Sequence, residues 1–309
     1  MSMNLRLRDF IRVKDCYFSV IGYEHKDGVK CLLRYVPDPN GDRLLNGVRY
    51  KKLSHREALT RFKEYIKDGI FVIPFNMIDE VYRPDERLPY ICKVDEEVRR
   101  VAEFFSLPKM GVTGSRLIGL SGKDSDVDFV IYGKYWFDVG REKIKKGIER
   151  GVLWCDYEYV YKKRNVTLPF EVFKVHEERK FNKAILDDIR FDLLYVRDKE
   201  KSKIPEKKGK KVGERTIVAE VIDDSLIFDY PACYIIKHPE IKAVLSFTHT
   251  FVGQAFKGEI IEARGVVEEI DGEKYLIVGT MREVKDEYIV SLTLLENTKL
   301  LDEFKAWKS

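Results

Sequence analysis

MGVTGSRLIGLSGKDSDVDFVIYG, from Met110 to Gly133, holds a short strand, a glycine turn and a pair of acids in one run. The apolar strand ends at Gly114-Ser115, where a glycine lets backbone N–H groups approach a phosphate closely and the serine offers a hydroxyl. A flexible stretch, Gly119 to Lys123, then leads into Asp126-Val127-Asp128-Phe129-Val130-Ile131-Tyr132. Side chains alternate along a strand, so Asp126 and Asp128 share one face and Val127 and Phe129 the other.

Two carboxylates side by side repel, and at the head of an apolar strand they need a balancing cation. Mg²⁺ suits them, because it prefers oxygen ligands and bridges carboxylates to substrate phosphates. A third acid completes a two-metal site for phosphoryl transfer. Asp192 supplies one, at the head of a second apolar strand within Ile189-Arg190-Phe191-Asp192-Leu193-Leu194-Tyr195-Val196. If the two strands are neighbours, Asp126, Asp128 and Asp192 converge. The competing reading of Asp-Ser-Asp is a surface turn, and Asp187 and Asp188 compete with Asp192.

Gly114-Ser115, ten intervening residues, Asp126-Val127-Asp128-Phe129 and a later acid flanked by apolar residues together resemble the nucleotidyltransferase signature of the DNA polymerase β superfamily. The resemblance covers about Asp95 to Val196. It implies that Gly114 and Ser115 hold a nucleoside triphosphate and that Asp126, Asp128 and Asp192 are catalytic and bind two Mg²⁺ ions, with Mn²⁺ able to substitute. Arg116 and Lys123 are the nearby cations expected to reach triphosphate oxygens. The implied activity is Mg²⁺-dependent transfer of a nucleoside monophosphate from an NTP to a hydroxyl, releasing pyrophosphate, with RNA the favoured acceptor. The rival readings are a catalytically inactive nucleotide- or RNA-binding protein and a transferase that attaches AMP to proteins. Arg8-Asp9-Phe10, Leu33-Arg34-Tyr35-Val36-Pro37 and Tyr50-Lys51-Lys52 also resemble an archaeal group of predicted nucleotidyltransferases.

Outward from this core the pattern changes. Two β-rich runs between Phe10 and Tyr35 flank Asp27-Gly28, a hairpin signal. Helical spacing runs from His55 to Lys67 and from Asp95 to Phe105, where Val98, Val101, Ala102 and Phe105 form one stripe. Further helices are expected over Asp138–Gly151 and Val172–Asp188. From Thr216 to Ser291 short strands recur, separated by turns such as Asp271-Gly272, and a polar helix follows from about Leu300. The expected fold is therefore α+β: a nucleotidyltransferase core of mixed sheet and helices, an N-terminal β-hairpin-rich region and a small C-terminal β-barrel-like module. The expected boundaries are 1–92, core 93–197, a basic linker or loop 198–215, and 216–309.

That linker carries seven Lys and two Arg against four acids between Arg197 and Arg215, a surplus of five positive charges in a chain whose net charge is +4. It reads as a solvated connection, with polyanion contact the alternative. Phe247-Thr-His249-Thr-Phe251, ahead of Gly253 to Gly258, combines aromatic and polar groups of the type that stack on unpaired bases, against the plainer reading of a packed hairpin. Arg179-Lys180 is a weaker phosphate candidate. The five cysteines never form a CxxC pair, which excludes a zinc knuckle and a disulfide framework. No apolar run approaches the ~20 residues of a membrane span, so a cytoplasmic protein is expected. One glutamine, Gln254, amid abundant Lys and Glu fits a hyperthermophile.

Overall fold

The computed structural model describes residues 4–123, 125–198, 204–279 and 286–308. It divides into two compact units, Met1–Trp154 with Asn182–Asp198 and Cys155–Phe181 with Lys199–Ser309. The fold is α+β, with a mixed-sheet core, an N-terminal antiparallel sheet and a C-terminal barrel.

In the first unit the N-terminal sheet is organised around Val29–Pro37, which pairs antiparallel with Cys16–Val20, Val48–Lys52 and Ile70–Ile73. Its alternating side chains place Val29, Cys31 and Leu33 in a buried cluster with Phe18, Val20, Phe71 and Ile73. Burial of each such side chain contributes roughly 2 kcal/mol. The helix expected from His55 to Lys67 is a single turn, His55–Ala58, followed by a 3₁₀ turn and a short strand. Ser54 starts it with a capping box, but Phe62 enters the left-handed region and ends helical continuation.

The core sheet of this unit runs in the order Leu153–Trp154, Lys183–Leu186, Ile189–Val196, Val127–Tyr132, Met110–Thr113. Only the Val127–Tyr132 and Ile189–Val196 pair is parallel. The helix Glu96–Phe105, capped by Asp95, drives Phe105 against Phe129 and Phe191 at ring distances of 6.4 and 5.4 Å. Phe137 of the helix Lys134–Glu149 packs on Tyr195. The apolar sides of both central strands are thereby sealed. Of the helix expected over Val172–Asp188, only the first part is helical: Phe170–Glu178 ends, Phe181 turns left-handed, and Lys183–Leu186 becomes a strand.

In the second unit Lys210–Leu226 is one 17-residue strand. The linker expected over 198–215 therefore contains regular strand from Lys210 onward. Charges on both faces of this exposed stretch erase the alternation that marks a strand. The strand pairs with Ala232–Lys237 through its second half and with Ile260–Ile270 through its first. The order Lys210–Leu226, Ala232–Lys237, Ile241–Ser246, Glu273–Val278, Ile260–Ile270 then returns to the first strand, closing a five-stranded ring. Its one parallel pairing joins Ile241–Ser246 to Glu273–Val278. Ala232, Tyr234, Val244, Ala263 and Leu276 fill the interior together with Val172, Leu295 and Phe304 from helices. Residues 155–181, expected in the transferase core, belong to this unit.

All five cysteines are free thiols. Among the described residues no helix is long and apolar enough to cross a membrane.

Candidate functional site

The strand Val127–Tyr132 buries Val127 and Phe129 completely and leaves Asp128 half-buried on the opposite face. Ile189–Val196 repeats the pattern, with Phe191 and Leu193 buried and Asp192 half-buried. The two strands run parallel with Asp128 opposite Asp192. Paired residues of neighbouring strands project to the same face, so the two carboxylates sit side by side. On its other edge Asp128 faces Thr113, the residue before Gly114.

Gly114 adopts φ +68°, in the region that favours glycine, and a Cβ placed there would lie 2.6 Å from Asp128 Oδ2. The turn therefore lays bare backbone directly over one carboxylate. Asp126 is half-buried and immediately precedes the strand. Among the described residues no three His, Cys, Asp or Glu side chains are grouped closely enough to hold a metal ion. Asp128 and Asp192 form a partnered pair, with Asp126 adjacent in the chain. The pair fits a hard divalent cation, since two half-buried like charges at facing positions favour one between them.

Ser115 is hydrogen-bonded to the hydroxyl of Tyr35, a residue of the N-terminal sheet that is 2% exposed. Burial pushes the Tyr35 hydroxyl above its usual range, with Arg34 and Arg43 pulling the other way, so it remains a neutral phenol near Asp128. Arg43, from the same sheet, donates from Nη1 to Ser125 Oγ at 3.3 Å, and that oxygen also accepts from the Gly122 N–H at 2.9 Å. Arg116 grips the same residue from the other side, donating to the Ser125 carbonyl at 3.1 Å. Its guanidinium also binds Asp95 at 2.7 Å and Glu97, and its side chain is only 8% exposed. Arg116 therefore braces the loop between Ser115 and Asp126. Lys123 lies exposed on that loop, and its neighbour Asp124 falls outside the described residues.

Residues 91–223 match the family of the nucleotidyltransferase domain. A relative 38% identical over 336 residues, covering 93% of this chain and 99% of its own, is Uncharacterized protein MJ1086 of Methanocaldococcus jannaschii. The chain belongs to the nucleotidyltransferase family, in the polymerase β-like superfamily. No solved structure matches it.

The chain brings to its candidate site two residues that the family's motif does not announce. Tyr35 and Arg43 lie well before the matched segment, in a strand and a short edge strand whose composition marks them only as β-formers. The one available signal was a tyrosine flanked by Arg34 within an otherwise apolar run. Arg179 and Lys180, weighed as phosphate contacts, are engaged inside the second unit. Arg179 pairs with Glu259 and stacks over Phe256, and Lys180 pairs with Glu177.

Proposed function

We propose that this nucleotidyltransferase moves a nucleoside monophosphate from an NTP to a hydroxyl acceptor, RNA being the favoured class, and releases pyrophosphate. The observation that carries this reading is the facing of Asp128 and Asp192 beneath the bare backbone of Gly114. Gly114 and Ser115 receive the triphosphate, Ser115 through its hydroxyl. Lys123 reaches phosphate oxygens from its loop. Asp126, Asp128 and Asp192 would hold Mg²⁺, which when bound would neutralise charge on the transferring phosphoryl group and the leaving pyrophosphate.

The remaining residues position. Tyr35 fixes the rotamer of Ser115, so the hydroxyl is aimed before substrate arrives. Arg43 and Arg116 pin Ser125 from two sides, and with it the backbone that carries Asp126. Such pre-orientation lowers the barrier because the groups need no rearrangement during reaction.

The test is incubation of the pure protein with each α-labelled NTP, Mg²⁺ and total archaeal RNA, beside an Asp126→Ala/Asp128→Ala variant. Label entering RNA from the wild type alone supports the reading. Label entering protein instead redirects the acceptor to polypeptide, and label moving equally in the variant refutes the site.

A further inference from the structure

The barrel unit carries an exposed aromatic group that the nucleotidyltransferase chemistry does not use. Tyr230 lies in the turn between the first two barrel strands, and Phe247 and His249 follow the end of the third. Pairing of Ala232 with Ser246 brings the two segments together. The Tyr230 ring stacks on His249 at 6.0 Å and 26°, and meets Phe247 edge-on at 6.1 Å. Phe247 is 37% exposed, and His249 is exposed as well.

What distinguishes this patch is how firmly its backbone is held. The carbonyls of His249, Thr250 and Phe251 each accept from a different side chain: Arg164 at 2.9 Å, Lys180 at 2.8 Å and the Tyr234 hydroxyl at 2.5 Å. Lys180 and its ion-pair partner Glu177 are 1% and 2% exposed. Burying such a pair is costly in desolvation, and apolar residues would fill the space at least as stably. Here the buried ammonium fixes a surface loop, the arrangement expected where a ring must be presented in one orientation.

One cation, Arg164, adjoins His249. Arg164, which holds His249, closes a helix, Tyr157–Arg164, whose last turn is Lys162-Lys163-Arg164. Aromatic faces beside basic side chains are the two elements by which proteins bind unpaired nucleic-acid strands: bases stack on the rings and phosphates meet the cations. The ring order of the barrel, with its third and fifth strands parallel, is that of five-stranded Greek-key barrels that bind oligonucleotides at this strand-one-to-two loop.

We infer that Tyr230, Phe247 and His249 form a stacking platform for unpaired bases of a single-stranded nucleic acid, with Lys162, Lys163 and Arg164 meeting its phosphates. The site is independent of the transfer reaction, so it stands or falls separately from the function proposed above.

Fluorescence anisotropy of the full chain with labelled rU12, dT12 and a 12-base-pair RNA duplex tests it. Single strands bind more tightly than the duplex, and rU12 against dT12 tells whether the strand is RNA or DNA. His249→Ala and Tyr230→Ala each weaken single-strand binding roughly 5- to 100-fold, Tyr230→Phe retains it, and Lys163→Ala flattens the slope of log Kd against log salt by about 0.7. Circular dichroism verifies that each variant is folded; if Tyr230→Ala is not, the exposed His249 and Phe247 substitutions decide. No binding to either single strand, duplex binding as tight as single-strand binding, or unchanged affinity in the folded alanine variants overturns the inference.

Discussion

Asp128 and Asp192 stand at facing positions on neighbouring parallel strands, two acids on a sheet whose other face buries Val127, Phe129, Phe191 and Leu193. Like charges so placed oppose folding by up to about 1 kcal/mol when no cation lies between them. Asp128→Asn should therefore raise the melting temperature slightly in metal-free buffer, abolish any Mg²⁺-induced stabilisation, and reduce nucleotidyl transfer by ~100-fold or more. Calorimetry with and without Mg²⁺, beside the labelled-NTP assay, checks all three.

Gly114→Ala separates geometry from charge. The added methyl group enters 2.6 Å from Asp128 Oδ2, at a φ of +68° that costs an alanine about 1 kcal/mol. Transfer should fall by an order of magnitude or more, while the protein stays folded, because the displaced group is a half-buried carboxylate and not the core. Wild-type activity in this variant would show that the Gly114 turn does not bear on the reaction.

Tyr35→Phe removes one hydroxyl from a buried ring and leaves the packing in place. Loss of one neutral hydrogen bond is worth about 1 kcal/mol, roughly fivefold. If Tyr35 aims Ser115 at the triphosphate, that factor appears in KM for the NTP with kcat little changed. A purely structural tyrosine would lower the melting temperature and leave KM alone.

The two units should respond to pH with opposite sign. In the first, burial raises the fully buried Asp9 carboxyl to about 7 against ~3.9 in the unfolded chain. The folded state keeps a proton that the unfolded state releases, so stability is full below pH ~4 and is lost as pH rises toward 7, by on the order of 4 kcal/mol. In the second, burial lowers His176 to about 4 against ~6.5 unfolded. Its ring is held neutral, Nδ1 donating to the Val172 carbonyl at 2.7 Å and Nε2 accepting the Ser291 N–H at 2.9 Å. That contribution is full above pH ~6.5 and is lost as pH falls toward 4. Denaturant melts from pH 4 to 7.5 should show Asp9→Asn gaining stability over wild type at pH 7 and not at pH 4.

The acids were legible in the sequence because they break the logic of their strands: Asp128 and Asp192 are acids inside runs that are otherwise mostly apolar. Their facing register was not, since it depends on which strands become neighbours across some sixty residues of chain. Tyr35 was invisible as a site residue because a tyrosine on an alternating strand has a sufficient reason to be there in packing alone. Arg116 lay in the expected place but is turned toward Asp95 and Glu97, partners whose proximity only the capped helix Glu96–Phe105 creates. The helix Tyr157–Arg164 was missed for the opposite reason: it has no apolar stripe and buries none of its residues. The barrel strands declared themselves as short apolar runs separated by turns, whereas the closure through Lys210–Leu226 was hidden by charges on both faces.

Equilibrium binding of each α-labelled NTP, with and without Mg²⁺, to the wild type and to Asp128→Asn and Asp192→Asn tests the paired acids most directly, because it needs no acceptor. Mg²⁺-dependent binding of at least one NTP by the wild type, lost or reduced at least tenfold in both variants, is the expected result. A wild-type protein that binds no NTP under either condition, or variants that bind as tightly as the wild type with Mg²⁺, would contradict the placement of the nucleotide site at Asp128 and Asp192.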